Sequence, residues 1–503
     1  MRPLPRSLSP AGTRTSTRFG AGRPDMPRWR LLAAGFSLAC ACAAGGQVIF
    51  LDPQGTRSSA RFGRECQGIE DINGDGYGDI IVGADEEWTG NPPIETGVAY
   101  VFSGIDGSVI CTILPPSPIP GANFAENVLG MRNLADATRG DPVVVARLIS
   151  RIYRFQTDTK RLVYSIGAAA SDVAIGVDPT TGVDDFIAIG ARSDNSEHGR
   201  VYVLDAVTRS FRYLIESPDQ TGYEAFGTTV VTVPDLDSDA TMDILVGVPL
   251  HFEPPNWYGI AYLFSGRGGS MIRTIRSPMN PPYSFGQSVA GIHDLDDDGF
   301  GDYAVAGSAW SRVWVYSGRT GDLLHTVYPP VPESGGFGRT LAPLPDVDGD
   351  GRGELLIGSP YATYPGYPFQ EGAAYVVSGR TGRLIRTLLP PLPVVRPQYN
   401  GPNFGAALSA IPDCSGDGRA DIVVGAPDDC SSPPCPPTQI GRFYVFHSCA
   451  ADFNYDGLWN SQDFFDFLHA FFQGWPGGDF DRSGSITSAD FFAFLDAFFR
   501  GCP

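Results

Sequence analysis

The sequence has 503 residues, of which 62 are Gly and 43 are Pro, and its formal net charge is −20. The turn-forming residues fall between short apolar runs, which excludes a disordered chain and indicates a folded, turn-rich one. An acidic chain repels the phosphates of nucleic acid, so the charge argues against a nucleic-acid partner. The same charge suits cation binding where the carboxylates cluster.

Residues 1–45 have the order of a secretory signal, with Met26 as an alternative start. Arg28 and Arg30 precede an apolar stretch at 31–39, which small residues follow. The stretch is too short to span a bilayer, and no later segment is long and apolar enough to be transmembrane. The sequence therefore predicts a secreted or cell-surface protein that is not transmembrane.

Residues 47–448 repeat one pattern: an aromatic-Gly pair, an acidic loop, an apolar strand ending in Gly, and a strand ending in Ser-Gly. Five regular copies begin at Phe62, Phe226, Phe285, Phe337 and Phe404. Two irregular copies run through 124–145 and 178–204. The loops start near residues 71, 133, 178, 235, 294, 346 and 413, and spacings of 45 to 67 residues hold one four-stranded sheet each. We predict an all-β fold, a seven-bladed β-propeller.

The last copy lacks an outer strand. Phe443-Tyr-Val-Phe446 leads directly into another module, whereas Gln47 to Pro53 reads as an outer strand without a blade of its own. We predict that this N-terminal strand completes blade seven and closes the ring, which also covers exposed strand edges.

Five acidic loops follow the pattern Asp-x-[Asp/Asn/Ser]-x-Asp-x-x-x-[Asp/Glu]. Oxygens at alternate positions of a tight loop converge, and Ca²⁺ takes six to eight oxygen ligands. A solvated acidic turn is the alternative, and recurrence in register argues against it. The irregular loops at 133–141 and 178–185 lack ligands, so we expect about five Ca²⁺ in the propeller and none there. The predicted ligands are Asp71, Asn73, Asp75, Asp79; Asp235, Asp237, Asp239, Asp243; Asp294, Asp296, Asp298, Asp302; Asp346, Asp348, Asp350, Glu354; and Asp413, Ser415, Asp417, Asp421.

These motifs resemble the FG-GAP repeat family, and so the N-terminal propeller of integrin α subunits. The resemblance covers about residues 47–448, with five motifs matching closely and two poorly. It implies a propeller that works by binding at the cell surface or in the extracellular matrix.

Residues 449–503 contain a duplication offset by 27 residues. Each copy is a twelve-residue EF-hand-type loop followed by a helix with apolar residues at i, i+3, i+4 and i+7. We predict a small α-helical module with two Ca²⁺. Its predicted ligands are Asp452, Asn454, Asp456, Asn460, Asp463; and Asp479, Asp481, Ser483, Thr487, Asp490.

The paired loops resemble a dockerin domain. The resemblance implies docking to a cohesin-like or other surface protein through loop positions ten and eleven, which are Ser461, Gln462, Ser488 and Ala489. The match to the usual Ser-Thr is partial, and the Phe-rich helices depart from cellulosomal dockerins. A self-contained, calcium-stabilised cap or sorting tag is the alternative.

Seven cysteines remain after residue 45, and an odd number leaves at least one outside an internal pair. Cys449 and Cys502 bracket the C-terminal module, and a disulfide between them would contribute on the order of 4 kcal/mol in the chain-entropy model. Two further pairings are conceivable: Cys430 with Cys435, which are close in sequence, and Cys66 with Cys111, which share the first repeat. The pairing of Cys414 stays open.

No HExxH, GxSxG or phosphate-binding loop is present, and the calcium loops account for the acidic pairs. Arg139-Gly140-Asp141 spells an adhesion tripeptide, but it falls in an irregular acidic loop and reads as structural. We therefore predict a protein that is not an enzyme and binds an unidentified protein or glycan on its propeller face. An extracellular polysaccharide lyase or hydrolase is the alternative, which a His, Tyr or Lys cluster on the central face would indicate.

Overall fold

The fold is seen in a computed structural model of the chain. Residues 1–46, which include the predicted signal, lie outside the described part, and only the backbone is described for 47–51. The described residues are 47–51, 61–89, 94–132, 139–147, 151–156, 161–167, 170–219, 224–253, 256–257, 259–279, 284–307, 311–331, 335–348, 350–363, 370–390, 401–415, 419–429, 441–449, 451–453, 459–474, 478, 480 and 485–500.

Seven four-stranded antiparallel sheets form the blades of a seven-bladed β-propeller, as predicted. The strands of blades one to three are Cys66–Ile69, Asp79–Ala84, Val98–Ser103, Val109–Ile113; Phe124–Arg132, Gly140–Ala146, Arg151–Gln156, Arg161–Gly167; and Asp172–Val177, Asp184–Ala191, Arg200–Asp205, Phe211–Glu216. Those of blades four to six are Thr229–Val233, Asp243–Val248, Ile260–Phe264, Met271–Arg276; Phe285–Ile292, Asp302–Gly307, Arg312–Tyr316, Leu323–Val327; and Thr340–Leu344, Glu354–Ser359, Ala373–Ser378, Leu384–Leu388.

Blade seven joins the two ends of the repeat region. Its first three strands are Ala407–Ile411, Asp421–Ala426 and Arg442–Phe446, and its fourth is Gln47–Leu51. The fourth strand pairs antiparallel with the third, from Gln47 opposite Phe446 to Leu51 opposite Arg442. The predicted closure by the N-terminal strand is therefore confirmed.

The second and third strands of each blade carry most of the core. In blade one, Asp79–Ala84 and Val98–Ser103 are buried at every residue, because neighbouring blades cover both faces of the sheet. The outer strand Val109–Ile113 alternates between exposed and buried residues, as expected at the rim. This is why the inner strands read as continuous apolar runs.

At three blade joints a phenylalanine of one blade bridges to a glycine of the preceding blade: Phe62 with Gly441, Phe226 with Gly199 and Phe404 with Gly372. Phe62 is fully buried and forms a parallel bridge with Gly441, which precedes the third strand of blade seven. Gly441 has φ +80°, and a Cβ there would lie 2.0 Å from the Phe62 carbonyl oxygen. Only glycine fits this approach, so the joint needs both the phenylalanine of one blade and a glycine of the adjacent one.

The strand directions divide the loops between two faces. The acidic loop follows the first strand of a blade, so the turn between the third and fourth strands lies at the same end. The loop between the second and third strands and the links between blades lie at the opposite end. Two short hairpins, Trp88–Thr89 with Ile94–Glu95 and Phe252–Glu253 with Asn256–Trp257, extend this opposite face.

Three helices are present in the described part of the chain: Asp194–Glu197, Ser461–Gln473 and Ser488–Arg500. The last two are the helices predicted after each C-terminal loop. Phe467 and Phe494 occupy equivalent positions of the duplication and stack with ring centroids 4.0 Å apart. The module thus builds its core by pairing the same residue of both repeats.

Candidate metal centres and binding face

The first acidic loop shows how the sequence holds its carboxylates. Asp71 at position one accepts backbone hydrogen bonds from Gly74 and Gly76 at 2.6 and 2.8 Å. Asp75 at position five accepts one from Tyr77 at 2.9 Å. These bonds fix each carboxylate before any ligand arrives.

The loops of blades four, five and six repeat this geometry. In each, the position-one carboxylate accepts from the position-six N–H at 2.8 to 3.0 Å, and the position-five carboxylate accepts from position seven at 2.9 Å. Ala240 stands where the other loops have glycine and is held at φ +66°. The turn therefore survives without glycine, at a steric cost.

The oxygens converge in three loops. Carboxylate oxygens lie within 4.8 Å of one another in sets of three or four, each drawn from the predicted ligands. The sets are Asp235, Asp237, Asp239; Asp294, Asp296, Asp302; and Asp346, Asp348, Asp350, Glu354. Such oxygen-only sets suit a hard cation.

The ninth-position carboxylate is buried in every one of these loops. Burial, followed by the repulsion of the loop's other carboxylates, raises the pKa of Asp79, Asp243 and Asp302 to about 7. The same causes raise the pKa of Glu354 to about 10. A cation would relieve this repulsion, so the loops are electrostatically incomplete on their own.

The fifth loop differs. Asp413, Ser415 and Asp421 are described, whereas Asp417 lies outside the described residues. Asp421 is fully buried, yet hydrogen bonds with His447 and Cys414 outweigh burial and hold its pKa below the ordinary value. Its surroundings are therefore not those of the other four loops.

Arginines occupy the irregular blades. In blade two the fully buried Arg154 donates to Asp141, the ninth-position residue, with Nε to Oδ2 at 3.0 Å. In blade three Arg212 donates to Asp185 at 2.6 Å and to Asp205 at 2.8 Å. Asp141 is 3 % exposed, so the Arg-Gly-Asp tripeptide is structural in its place, as the sequence indicated. Sequence reasoning missed both arginines, although a charge inside a strand was a visible signal.

The C-terminal loops are described only at their ends. Asp463 and Asp490 are fully buried and accept from the backbone N–H groups of Asn460 and Thr487 at 2.7 and 2.6 Å. Asp452 is also buried. The remaining predicted ligands Asn454, Asp456, Asp479, Asp481 and Ser483 lie outside the described residues.

The cysteines correct one expectation. Cys66 and Cys111 are both buried and neither is in a disulfide, so the suggested bond between them does not form. Cys66 lies on the first strand of blade one and Cys111 on the fourth, with two strands between them, which places them about 14 Å apart at 4.8 Å per strand. Cys449 is disulfide-bonded. Its predicted partner Cys502, like Cys430 and Cys435, lies outside the described part, so these pairings stay predictions.

The described residues enclose two cavities. A channel of about 590 Å³ is lined by the first strands of all seven blades. A second pocket of about 600 Å³ opens on the face opposite the acidic loops, between blades one, six and seven. Its lining includes Arg61, Arg64, Arg339 and Tyr361, and Tyr361 is 42 % exposed. Sequence reasoning did not find this pocket, because three distant segments form it.

Comparisons with known proteins agree with the architecture. The FG-GAP repeat family matches residues 337–377. With the seven-bladed ring, this supports an FG-GAP β-propeller similar to integrin alpha chains.

Three relatives illustrate that similarity. Integrin alpha-11 of Homo sapiens is 33 % identical over 147 residues, covering 26 % of this chain and 12 % of that protein. Integrin alpha-4 of Xenopus laevis is 26 % identical over 210 residues, covering 39 % and 19 %. Integrin alpha-7 of Mus musculus is 32 % identical over 188 residues, covering 35 % and 15 %. The matched part of this chain spans less than a fifth of each of these relatives.

Across the part of the chain that the structure describes, no helix has the length and apolarity needed to cross a membrane.

Proposed function

We propose that this protein is a secreted or cell-surface, calcium-stabilised adhesion or scaffold protein. Its propeller would bind a protein or glycan, and its C-terminal module would hold that propeller on a partner. The similarity to integrin alpha chains supports an adhesion or ligand-binding role. The sequence pattern of residues 1–45 supports export.

Calcium is the cation that the acidic loops suit best. The donors are carboxylate, amide and hydroxyl oxygens. Hard cations such as Ca²⁺ prefer such oxygens, whereas softer transition metals favour thiolate and imidazole ligands. Asp346, Asp348, Asp350 and Glu354 already place four oxygens within 4.8 Å, and backbone carbonyls and water can complete a shell of six to eight. We propose Ca²⁺ in the five propeller loops and in both C-terminal loops.

The pocket on the face opposite the acidic loops is the observation that carries the binding proposal. Its walls carry charge of both signs: the lining residues Arg61 and Glu86 pair at 2.7 Å, and Arg64, which also lines the pocket, contacts the buried Asp85 at 3.4 Å. The exposed Arg339 and Tyr361 stand on the adjoining blade six. Aromatic and arginine side chains contribute most of the binding energy in many protein interfaces, so these two residues are the expected contacts. The calcium loops at the other end of the propeller would keep the blades rigid.

The C-terminal module presents the docking residues proposed from the sequence. Ser461, Gln462, Ser488 and Ala489 are all exposed at the first turns of their helices. Gln462 donates to Asp466 on its own helix at 2.8 Å. A cohesin-like or other surface protein that contacts both helix starts is the proposed partner.

Binding of the purified chain to arrays of extracellular matrix proteins and glycans, in Ca²⁺ and in EGTA, tests the propeller face. We expect calcium-dependent binding that falls at least about tenfold in Arg339→Glu, a loss of 1.4 kcal/mol or more. Arg383→Glu is the matched control, since Arg383 is exposed on the same blade but at the acidic-loop end. Equal loss in both variants would refute a site in the pocket.

A second arm separates binding from turnover. The same preparation is incubated with a panel of polysaccharides and assayed for released reducing ends and unsaturated sugars. Cleavage would overturn the binding proposal in favour of the lyase or hydrolase alternative.

A pull-down from surface extracts with the full chain and with Ser461→Asp/Ser488→Asp tests docking by the C-terminal module. We expect the wild type to capture a partner only in Ca²⁺ and the variant to lose that partner.

A further inference from the structure

The acidic loop of blade seven contains a group of side chains that the other loops lack. Cys414 Sγ lies 2.9 Å from Oδ2 of Asp421 and 3.6 Å from Nδ1 of His447. His447 Nδ1 lies 3.6 Å from the same Asp421 oxygen. A thiol, an imidazole and a carboxylate therefore meet at one point.

Two positions of the repeat change together to build this group. At position two of the loop, the other four regular loops have a buried aliphatic residue: Ile72, Leu236, Leu295 and Val347. At the end of the third strand, the same blades have a serine: Ser103, Ser265, Ser317 and Ser378. Blade seven has Cys414 and His447 at these two positions. The backbone frame stays the same, since Cys414 N still donates to Asp421 at 2.9 Å, as Leu236 N does to Asp243 at 2.8 Å.

The spacing of the three donors matches one face of a tetrahedral zinc site. Zn²⁺ lies about 2.3 Å from sulfur and about 2.0–2.2 Å from nitrogen or oxygen, which separates neighbouring ligand atoms by roughly 3.3–3.6 Å. Two of the three observed separations are 3.6 Å. The shorter sulfur–oxygen contact of 2.9 Å is a close hydrogen bond from the thiol to the carboxylate, which the metal would replace.

We propose that Cys414, Asp421 and His447 form a zinc site, distinct in chemistry from the calcium loops. Thiolate and imidazole favour Zn²⁺, whereas Ca²⁺ takes oxygen ligands, so these two residues select the metal. Asp421 is the ninth residue of the fifth acidic loop, so Zn²⁺ competes with Ca²⁺ for its carboxylate. Three protein ligands leave a fourth position for water. The His447 side chain is 14 % exposed, which gives the ion a route from solvent.

The site also sits at the junction between the two modules. Ser448 N, on the segment leading to the C-terminal helices, donates to Asp421 Oδ1 at 2.5 Å. Zn²⁺ would thus tie the start of that segment to blade seven.

Metal content and cobalt absorption of the full chain test the proposal. The chain is loaded with Zn²⁺ in excess Ca²⁺, and free metal is removed. We expect one more Zn²⁺ per chain than in Cys414→Val/His447→Ser, whose replacements are residues that other blades carry there. Co²⁺ in place of Zn²⁺ should give thiolate charge-transfer absorption in the wild type and in Cys111→Val, a control that removes another buried cysteine outside any disulfide.

The contrary results are equally defined. Equal Zn²⁺ in the wild type and the double variant, or a Co²⁺ spectrum without thiolate absorption, would overturn the site. If Cys414→Val does not fold, His447→Ser alone decides: we expect its zinc affinity to fall more than about 100-fold, beyond what loss of an outer-shell partner costs. An unchanged affinity in that variant would likewise refute the proposal.

Discussion

Blades one and two each bury a carboxylate at the start of the second strand, Asp79 and Asp141. In blade one, burial and, after it, the repulsion of the neighbouring loop carboxylates raise the pKa of Asp79 to about 7. In blade two the guanidinium of Arg154 lies 3.0 Å from Asp141 and is itself fully buried. Both blades therefore hold a buried carboxylate at the same place in the strand. In blade two the side chain of Arg154 balances its charge, and in blade one we propose that a bound cation does.

Blade three differs, because the fully buried Phe186 stands where blades one and two have the ninth-position carboxylate. Arg212 bridges Asp185 and Asp205, and about a quarter of each of Arg212 and Asp205 is exposed. The difference teaches that the irregular loops are not merely damaged copies. Blade two balances its buried carboxylate with an arginine, and blade three replaces that carboxylate with a phenylalanine, so we expect both blades to be independent of calcium.

Removal of calcium should have the largest effect. One site saturated at 100 times its dissociation constant contributes about 2.7 kcal/mol, so emptying several sites approaches the net stability of about 5–15 kcal/mol of an ordinary domain. We expect a large fall in melting temperature in excess EGTA, measured by scanning calorimetry. An unchanged melting temperature would refute cation-dependent blades.

Arg154→Met should have the next largest effect. It leaves Asp141 buried without its counter-ion, which costs about 3–5 kcal/mol in the free energy of unfolding. Urea denaturation should show the same loss in Ca²⁺ and in EGTA, because no cation is involved. Asp141→Leu/Arg154→Met should recover most of it, and a calcium-dependent loss would contradict the assignment.

Glu354→Gln should destabilise the protein more in the presence of Ca²⁺ than in its absence. With Ca²⁺ the variant loses a ligand and up to about 2.7 kcal/mol. Without Ca²⁺ the pKa of about 10 keeps Glu354 protonated at pH 7, so a neutral amide should cost less than about 1 kcal/mol. Asp322→Asn, an exposed acid outside the loops, is the control for both conditions. Equal losses with and without Ca²⁺ would remove Glu354 from the metal centre.

Arg212→Met should have the smallest effect. Because its ion pairs are partly exposed and screened by solvent, we expect a loss of no more than about 1 kcal/mol, again independent of calcium. The free energy of unfolding is measured by chemical denaturation, with Arg209→Met, a variant at a neighbouring exposed arginine, as the control. A loss as large as that of Arg154→Met would show that exposure does not separate the two blades.

The sequence was sufficient for the parts of this structure that repeat. Periodic strands, the aromatic-Gly pair and loop spacing predicted seven blades, and the missing outer strand after Phe446 predicted closure by Gln47–Leu51. The five loops were found because their oxygens lie within nine consecutive residues. The C-terminal helices followed from their apolar period.

The missed features join residues that are far apart in the chain. Arg154 reaches Asp141 across a strand pair, and His447 reaches Cys414 over 33 positions. The pocket needs Arg64, Arg339 and Asn403 from three blades. Strand register and blade packing decide which side chains face one another. A local sequence motif determines neither of them.

Hydrogen exchange of the loop amides, with and without Ca²⁺, tests the central comparison most directly. The N–H groups of Gly76, Ala240, Gly299 and Gly351 bond to position-one carboxylates and would be ordered by a cation. We predict that Ca²⁺ slows exchange in the loops at 71–79, 235–243, 294–302 and 346–354, while 139–146 and 178–185 change little. Equal slowing in all blades, or none in the acidic loops, would contradict the account.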